Sequence, residues 1–343
     1  VLVLITVTSV AAAQSREPFT VGDVSAAAGE RSSGMLTVPE AADAGVEIPV
    51  TVVHGGKTGP VVALIAGTHG YEYPPITALH RLRQKIDPGE LAGTVILVHI
   101  ANPPSFFRRT IYYSPIDGKN LNRVYPGDPD GTQSERIAHA ITTQVIERAD
   151  YVVDLHGGDG NEALRPFVYM PRTGNAELDS SSKELAVAFG VDHIVIDAAP
   201  LRDPNDSLYT DQTALSRGIP AITTETGQLG SNDDHWVDIA ENGVWNLLRH
   251  LGMIAGEPRA NDSVVWLSDY TVITSPETGI FRAEVRDGDA IAENRRLGTL
   301  VDVFGDEITV IRAPFAGIVN YVIGTPPVSK GEPIAMVSRI VAE

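Results

Sequence analysis

The feature that most constrains this chain is a pair of short apolar runs that each break into glycine beside a histidine. Pro60-Val61-Val62-Ala63-Leu64-Ile65-Ala66 is continuously apolar and rich in β-branched residues, as a strand covered on both faces is. It stops at Gly67-Thr68-His69-Gly70-Tyr71-Glu72. Pro74-Pro75 can then open a helix, where a missing N–H costs nothing, and residues 76–86 have helical composition. Tyr151-Val152-Val153-Asp154-Leu155 repeats the theme and ends in His156-Gly157-Gly158. Open α/β sheets bind ligands at such strand ends.

His69-x-x-Glu72 offers an imidazole nitrogen and a carboxylate oxygen to one small cation. A catalytic zinc takes three protein ligands and keeps one position open, and His₂Glu is a common set. His156 is the candidate third ligand. Asp154, two residues earlier, shares its strand face and can orient it from outside the ligand set. A loop coincidence is the competing reading in a chain with 9 histidines. The second strand-end histidine weighs against it, because metal sites are built from converging ends. The chain has no cysteine, so disulfides and thiolate ligands are excluded.

Length adds a second domain to the expectation, since 343 residues exceed one typical core. A formal net charge of −18 excludes the electrostatic footprint of a nucleic-acid binder. The apolar run Val1–Val10 followed by Ala11-Ala12-Ala13 reads as the end of an export signal. Residues 1–13 on this reading are a signal remnant, which places the protein in the periplasm or outside the cell. As an ordinary N-terminus they would leave it cytoplasmic. No other run is long and apolar enough for a membrane helix, so no insertion is expected after processing.

Strands then alternate with helices: strands near 46–53, 60–66, 94–100, 151–156, 192–196 and 219–224, and helices over 76–86, 134–148, 182–189, 207–217 and 235–251. This predicts an α/β domain over residues 14–260. Ser134 is the expected cap of its helix. Residues 105–130 read as one long functional loop, rich in Arg, Tyr, Pro and Gly. From residue 261 helical periods vanish. Ser275-Pro276-Glu277-Thr278-Gly279-Ile280-Phe281 is echoed by Ala313-Pro314-Phe315-Ala316-Gly317-Ile318-Val319, which predicts a duplicated all-β domain over 261–343, a barrel-sandwich hybrid. Lys330 lacks the flanking residues of a carrier-domain modification site, so this domain reads as structural.

Taken together, these residues resemble the succinylglutamate desuccinylase/aspartoacylase family of zinc carboxypeptidase-like hydrolases. The resemblance rests on His69-x-x-Glu72, Asn102-Pro103, Asp117-Gly118-Lys119-Asn120-Leu121-Asn122-Arg123-Val124-Tyr125-Pro126-Gly127, Asp154-Leu155-His156 and Glu225-x-Gly227, and it runs from about residue 46 to the end. It implies a mixed, mostly parallel sheet flanked by helices. It also implies one Zn²⁺ per chain on His69, Glu72 and His156, with Glu225 as general base. Asn122 and Arg123 match a pair that grips a substrate carboxylate, and Arg109 or Arg108 matches an arginine that polarises the scissile carbonyl. Asp159 and Glu162 are expected to bring negative charge near the pocket and favour a cationic amino acid, and Arg165 is a second carboxylate partner. The implied reaction is hydrolysis of an N-acyl amino acid by a metal-activated water; the alternative is a metallocarboxypeptidase. The acyl group, the amino acid and any homo-oligomeric state are open at this point.

Overall fold

The computed structural model describes residues 16–259, 261 and 263–342; the apolar N-terminal run read as an export signal lies outside them. A thirteen-stranded mixed sheet forms the centre of the molecule. Its middle is parallel: Lys57–Ala66 pairs with Ala92–Val98 on one side and with Tyr151–His156 on the other. Tyr151–His156 pairs in turn with Ala221–Glu225.

The continuous apolar composition of these strands follows from their two covered faces. Along Lys57–Ala66, Val62 and Leu64 enter one core, while Ala63 and Ile65 enter the other. Helices Tyr73–Lys85, Ala176–Phe189 and Asp234–His250 cover the first face through Leu79, Leu82, Leu185, Phe189, Val244 and Leu247. Helix Gln133–Gln144 covers the second through Ile137, Ala138 and Ile141. Each such Val, Leu, Ile or Phe side chain, buried fully, stabilises the fold by about 1.5–3 kcal/mol.

Two local readings change, and one strand is added. Before residue 46 the structure has Glu30–Val38, a strand paired along its whole length with Val46–His54. Its alternation was obscured by Ser32, Ser33 and Gly34. The long loop is not structureless: Pro103–Arg108 is a short helix capped by Asn102, and Leu121–Arg123 is a 3₁₀ turn. Thr132, not Ser134, caps helix Gln133–Gln144, its N–H donating to Glu135 at 2.9 Å.

No helix follows His250 among the described residues. Strand Val265–Thr274 pairs in parallel with His193–Asp197 through its first residues and antiparallel with Pro333–Ile340 through the rest. The large sheet therefore continues across residue 261. A four-stranded sheet packs opposite it around Phe281, Leu297, Leu300, Val319, Val322 and Val337. The echoed segments form strands Gly279–Ala283 and Gly317–Ile323, which lie in different sheets on either side of this core. Each strand opens on a glycine pressed against a neighbouring carbonyl: a Cβ would stand 2.6 Å from Val301 O at Gly279 and 2.1 Å from Ser338 O at Gly317.

Candidate active site

Strand register builds the site. Ala66 sits beside Leu155, and His156 sits beside Glu225, so the loop carrying His69 and Glu72 leaves the sheet next to both. The strand-end loops meet closely enough that a Cβ on Gly157 would fall 2.3 Å from Thr226 O; only glycine fits there.

His69, Glu72 and His156 are all buried, and their ligand atoms lie within 4.8 Å of one another. Nδ1 of His69 is 2.7 Å from Glu72 Oε1, and Nδ1 of His156 is 3.2 Å from that oxygen and 3.0 Å from Oε2. The far nitrogens face acceptors: Nε2 of His69 is 3.1 Å from Asn120 Oδ1, and Nε2 of His156 is 3.0 Å from the buried Asp154 carboxylate. Placing the ring protons on Nε2 satisfies both outer contacts. Both Nδ1 lone pairs then point at a carboxylate, with Glu72 Oε2 buried and without a hydrogen-bond partner. Three converging acceptors fit a metal cation.

Glu225 ends its strand half-buried across from this set and lines the same cleft, which has a volume of about 900 Å³. Burial holds its carboxyl well above the usual range despite His156, with Glu72 and Glu162 adding to the rise.

Asn122 and Arg123 enter the cleft from the 3₁₀ turn. Asn122 Oδ1 accepts from Thr210 N–H at 2.9 Å, which turns its Nδ2 toward His156. Arg123 lies over the Tyr209 ring, 4.7 Å from the centroid. This turn is tied down from behind. Ser134 donates to Asp117 through both N–H (2.8 Å) and Oγ (2.9 Å). Burial raises the Asp117 carboxyl, but these donors and Lys119 N–H outweigh it and hold the group below its ordinary value.

Four expected residues lie outside the lining of the cleft. Arg108 ends its helix exposed, and Arg109 follows, also exposed, in a left-handed conformation (φ 53°); neither is in the cleft lining. Tyr112 enters instead, with φ 58°, edge-on to His69 at 5.7 Å and donating its hydroxyl to Glu162 at 2.8 Å. Asp159 is fully buried beneath the cleft, where it accepts the N–H groups of Tyr112 and Gly160. It fastens the loop. Arg165 is taken by Asp192 and His193, away from the cleft lining. The acidic lining comes from Glu162 and from two residues with no sequence signal, Asp197 and Asp211, beside Tyr270 and Tyr321. These sit at element ends that periodicity does not mark.

Fold and site together describe an α/β protein with a buried His–Glu–His set that could hold a metal ion, and comparison with known proteins narrows this. Residues 58–251 match the succinylglutamate desuccinylase/aspartoacylase catalytic domain. The chain is 33% identical over 325 residues to the N-alpha-acetyl-L-2,4-diaminobutyric acid deacetylase of Halomonas elongata, covering 90% of this chain and 91% of the relative. The product-bound ectoine utilization protein EutE (DoeB) of Ruegeria pomeroyi superposes with a TM-score of 0.82 at 28% identity, covering 94% of this chain and 98% of that one. A succinylglutamate desuccinylase/aspartoacylase of Rhodobacter sphaeroides gives 0.80 at 27% identity, covering 91% and 96%. The chain belongs to the succinylglutamate desuccinylase/aspartoacylase family.

Proposed function

We propose that the protein is a zinc-dependent hydrolase that cleaves the amide bond of an N-acyl amino acid and releases the acyl group. The observation that carries this reading is one cleft lined by His69, Glu72 and His156, by Glu225 opposite them, and by Asn122 and Arg123 on an adjoining wall. His69, Glu72 and His156 would hold the zinc, which would supply a Lewis acid and make water more acidic there.

The chain supplies the rest. Glu225 takes a proton from the attacking water and returns it to the leaving nitrogen, which a carboxylate raised by burial is suited to do. Asp154 and Asn120 fix the two imidazoles. Arg123 offers a planar fork for a substrate carboxylate, which lysine would match less well. Val272, Tyr321 and Pro333 of the C-terminal strands line the cleft, which favours a small substrate over a peptide. The acetyl amino acid in the Halomonas relative's name points the same way.

The test is turnover by zinc-loaded protein on matched N-acetyl amino acids and C-terminally free dipeptides. Acetate release from the former alone is the expected result. Dipeptide cleavage would replace the reading with a metallocarboxypeptidase, and inactivity on both would sink it.

A further inference from the structure

We infer that the C-terminal strands pair two copies of this chain across a twofold axis, each copy seating the hairpin tip Val303–Phe304 in an apolar pocket of the other. The tip joins strands Arg296–Val301 and Glu307–Arg312. Val303 is 79% exposed and Phe304 87%, with Ile308 exposed just beyond them.

The turn holds these side chains out. Asp302 Oδ1 accepts from Phe304 N–H at 2.9 Å and from Asp306 N–H at 3.0 Å. Asp302 N–H donates to the Asp306 carbonyl at 2.9 Å, and Gly305 N–H donates to the Asp302 carbonyl at 3.1 Å. Gly305 has a φ of 92°, where a residue with a side chain would be strained. A tip fastened in this way does not fold back over its own aromatic ring. Its binding conformation is set in advance, which spares most of the cost of ordering a loop.

A pocket of about 430 Å³ lies on the same surface, ample for a phenyl ring when cavities from about 300 Å³ take whole small ligands. Phe281, Val285 and Val322 wall it, and its charged lining is Arg282, Arg286 and Asp287. Arg282 ties pocket and tip together: its Nη2 lies 3.6 Å from where a Cβ on Gly305 would stand.

Charge selects the occupant. The tip is flanked by Asp302, Asp306 and Glu307, and neither Arg282 nor Arg286 has an ion-pair partner among the described residues. An acidic tip and a basic pocket complement each other and fix the register of two copies. The same acids, on a chain of net charge −18, oppose an anionic lipid surface. Because tip and pocket share one surface, a twofold rotation brings each tip to the other copy's pocket, and the assembly closes at two.

The pocket also backs onto the cleft. In strand Glu162–Leu164, Ala163 lines the pocket while Glu162 and Leu164 line the cleft. In the strand paired with it, Val322 lines the pocket and Tyr321 the cleft. Successive side chains of a strand point to opposite faces, so a seated tip rests against the rear of the cleft wall.

Sedimentation velocity of the full chain between about 1 and 100 μM reads the association directly. The expected result is a concentration-dependent dimer and no larger species. Phe304→Ser changes an exposed side chain and is expected to raise the dimer dissociation constant at least about 100-fold, since the twofold counts a buried anchor twice. Arg286→Glu is expected to raise it about tenfold, and adding Asp306→Arg to the same chain to recover most of that loss. A monomer at every concentration would overturn the proposal, as would a dimer that Phe304→Ser leaves unchanged. A monomer that floats with phosphatidylcholine vesicles, and no longer does so as Phe304→Ser, would overturn it in favour of a lipid surface. A double variant as weak as Arg286→Glu alone would overturn the match of acidic tip to basic pocket.

Discussion

The two ends of the cleft are built on opposite terms. At the metal end the outer ring nitrogens of both histidines have fixed partners, Asn120 and Asp154, and the inner donors converge on one point. At the far end Asp197 and Asp211 line the cleft with no ion-pair partner among the described residues, and Gln212 Oε1 is buried with no hydrogen-bond partner there. The metal end is prepared before substrate arrives, as catalysis by preorganised groups requires. The far end is left short of donors.

This contrast breaks most easily at Glu225, which faces the metal ligands. Glu225→Gln is expected to lower kcat by at least about 10³-fold, in line with loss of a general base, while metal content stays at one zinc per chain. Retained turnover in the metal-loaded variant would remove Glu225 from the proton transfer.

Asp154→Asn sharpens the claim that the metal end is held from outside. Its carboxylate is fully buried and contacts Nε2 of His156. Zinc affinity, measured by competition with a chelator, is expected to fall about 10–100-fold. Unchanged affinity would mean that the ring is oriented by its strand alone.

The smallest effect concerns the turn that presents Asn122 and Arg123. Asp117→Asn keeps the side chain's size but weakens its bonds to Ser134 and Lys119, with an expected stability loss of about 1–2 kcal/mol by denaturant titration at pH 7. The folded-state carboxyl lies below its ordinary value. Its contribution is therefore full above the unfolded value, near pH 4, and fades as pH falls through the folded one. The difference between variant and parent should accordingly shrink in acid; a constant difference would assign the effect to packing.

The sequence was most legible where a residue's role repeats its local pattern. Continuous β-branched runs gave the central strands because both faces are covered, and glycines beside His69 and His156 marked the strand ends. The echo between Gly279 and Gly317 was legible because the same close backbone approach recurs in both sheets. What could not be read was side-chain direction in irregular backbone. Arg108, Arg109 and Tyr112 lie within five positions, and only two left-handed residues decide that the tyrosine, rather than an arginine, faces His69. Asp159 and Glu162 are three apart; one is buried under the loop and the other lines the cleft. Asp197 and Asp211 come together only through the crossing of a strand end and a short helix, which no spacing in the chain encodes.

Strand Val265–Thr274 is hydrogen-bonded to the α/β sheet at one end and to the C-terminal strands at the other. It acts as a splice. A chain cut after the last helix would expose the open edge of His193–Asp197, the kind of edge that recruits other chains. It would also lose Tyr270, Val272, Tyr321 and Pro333 from the cleft wall. The catalytic-domain match over residues 58–251 therefore stops short of part of the cleft wall, which is supplied by a segment read from sequence as belonging to the other domain.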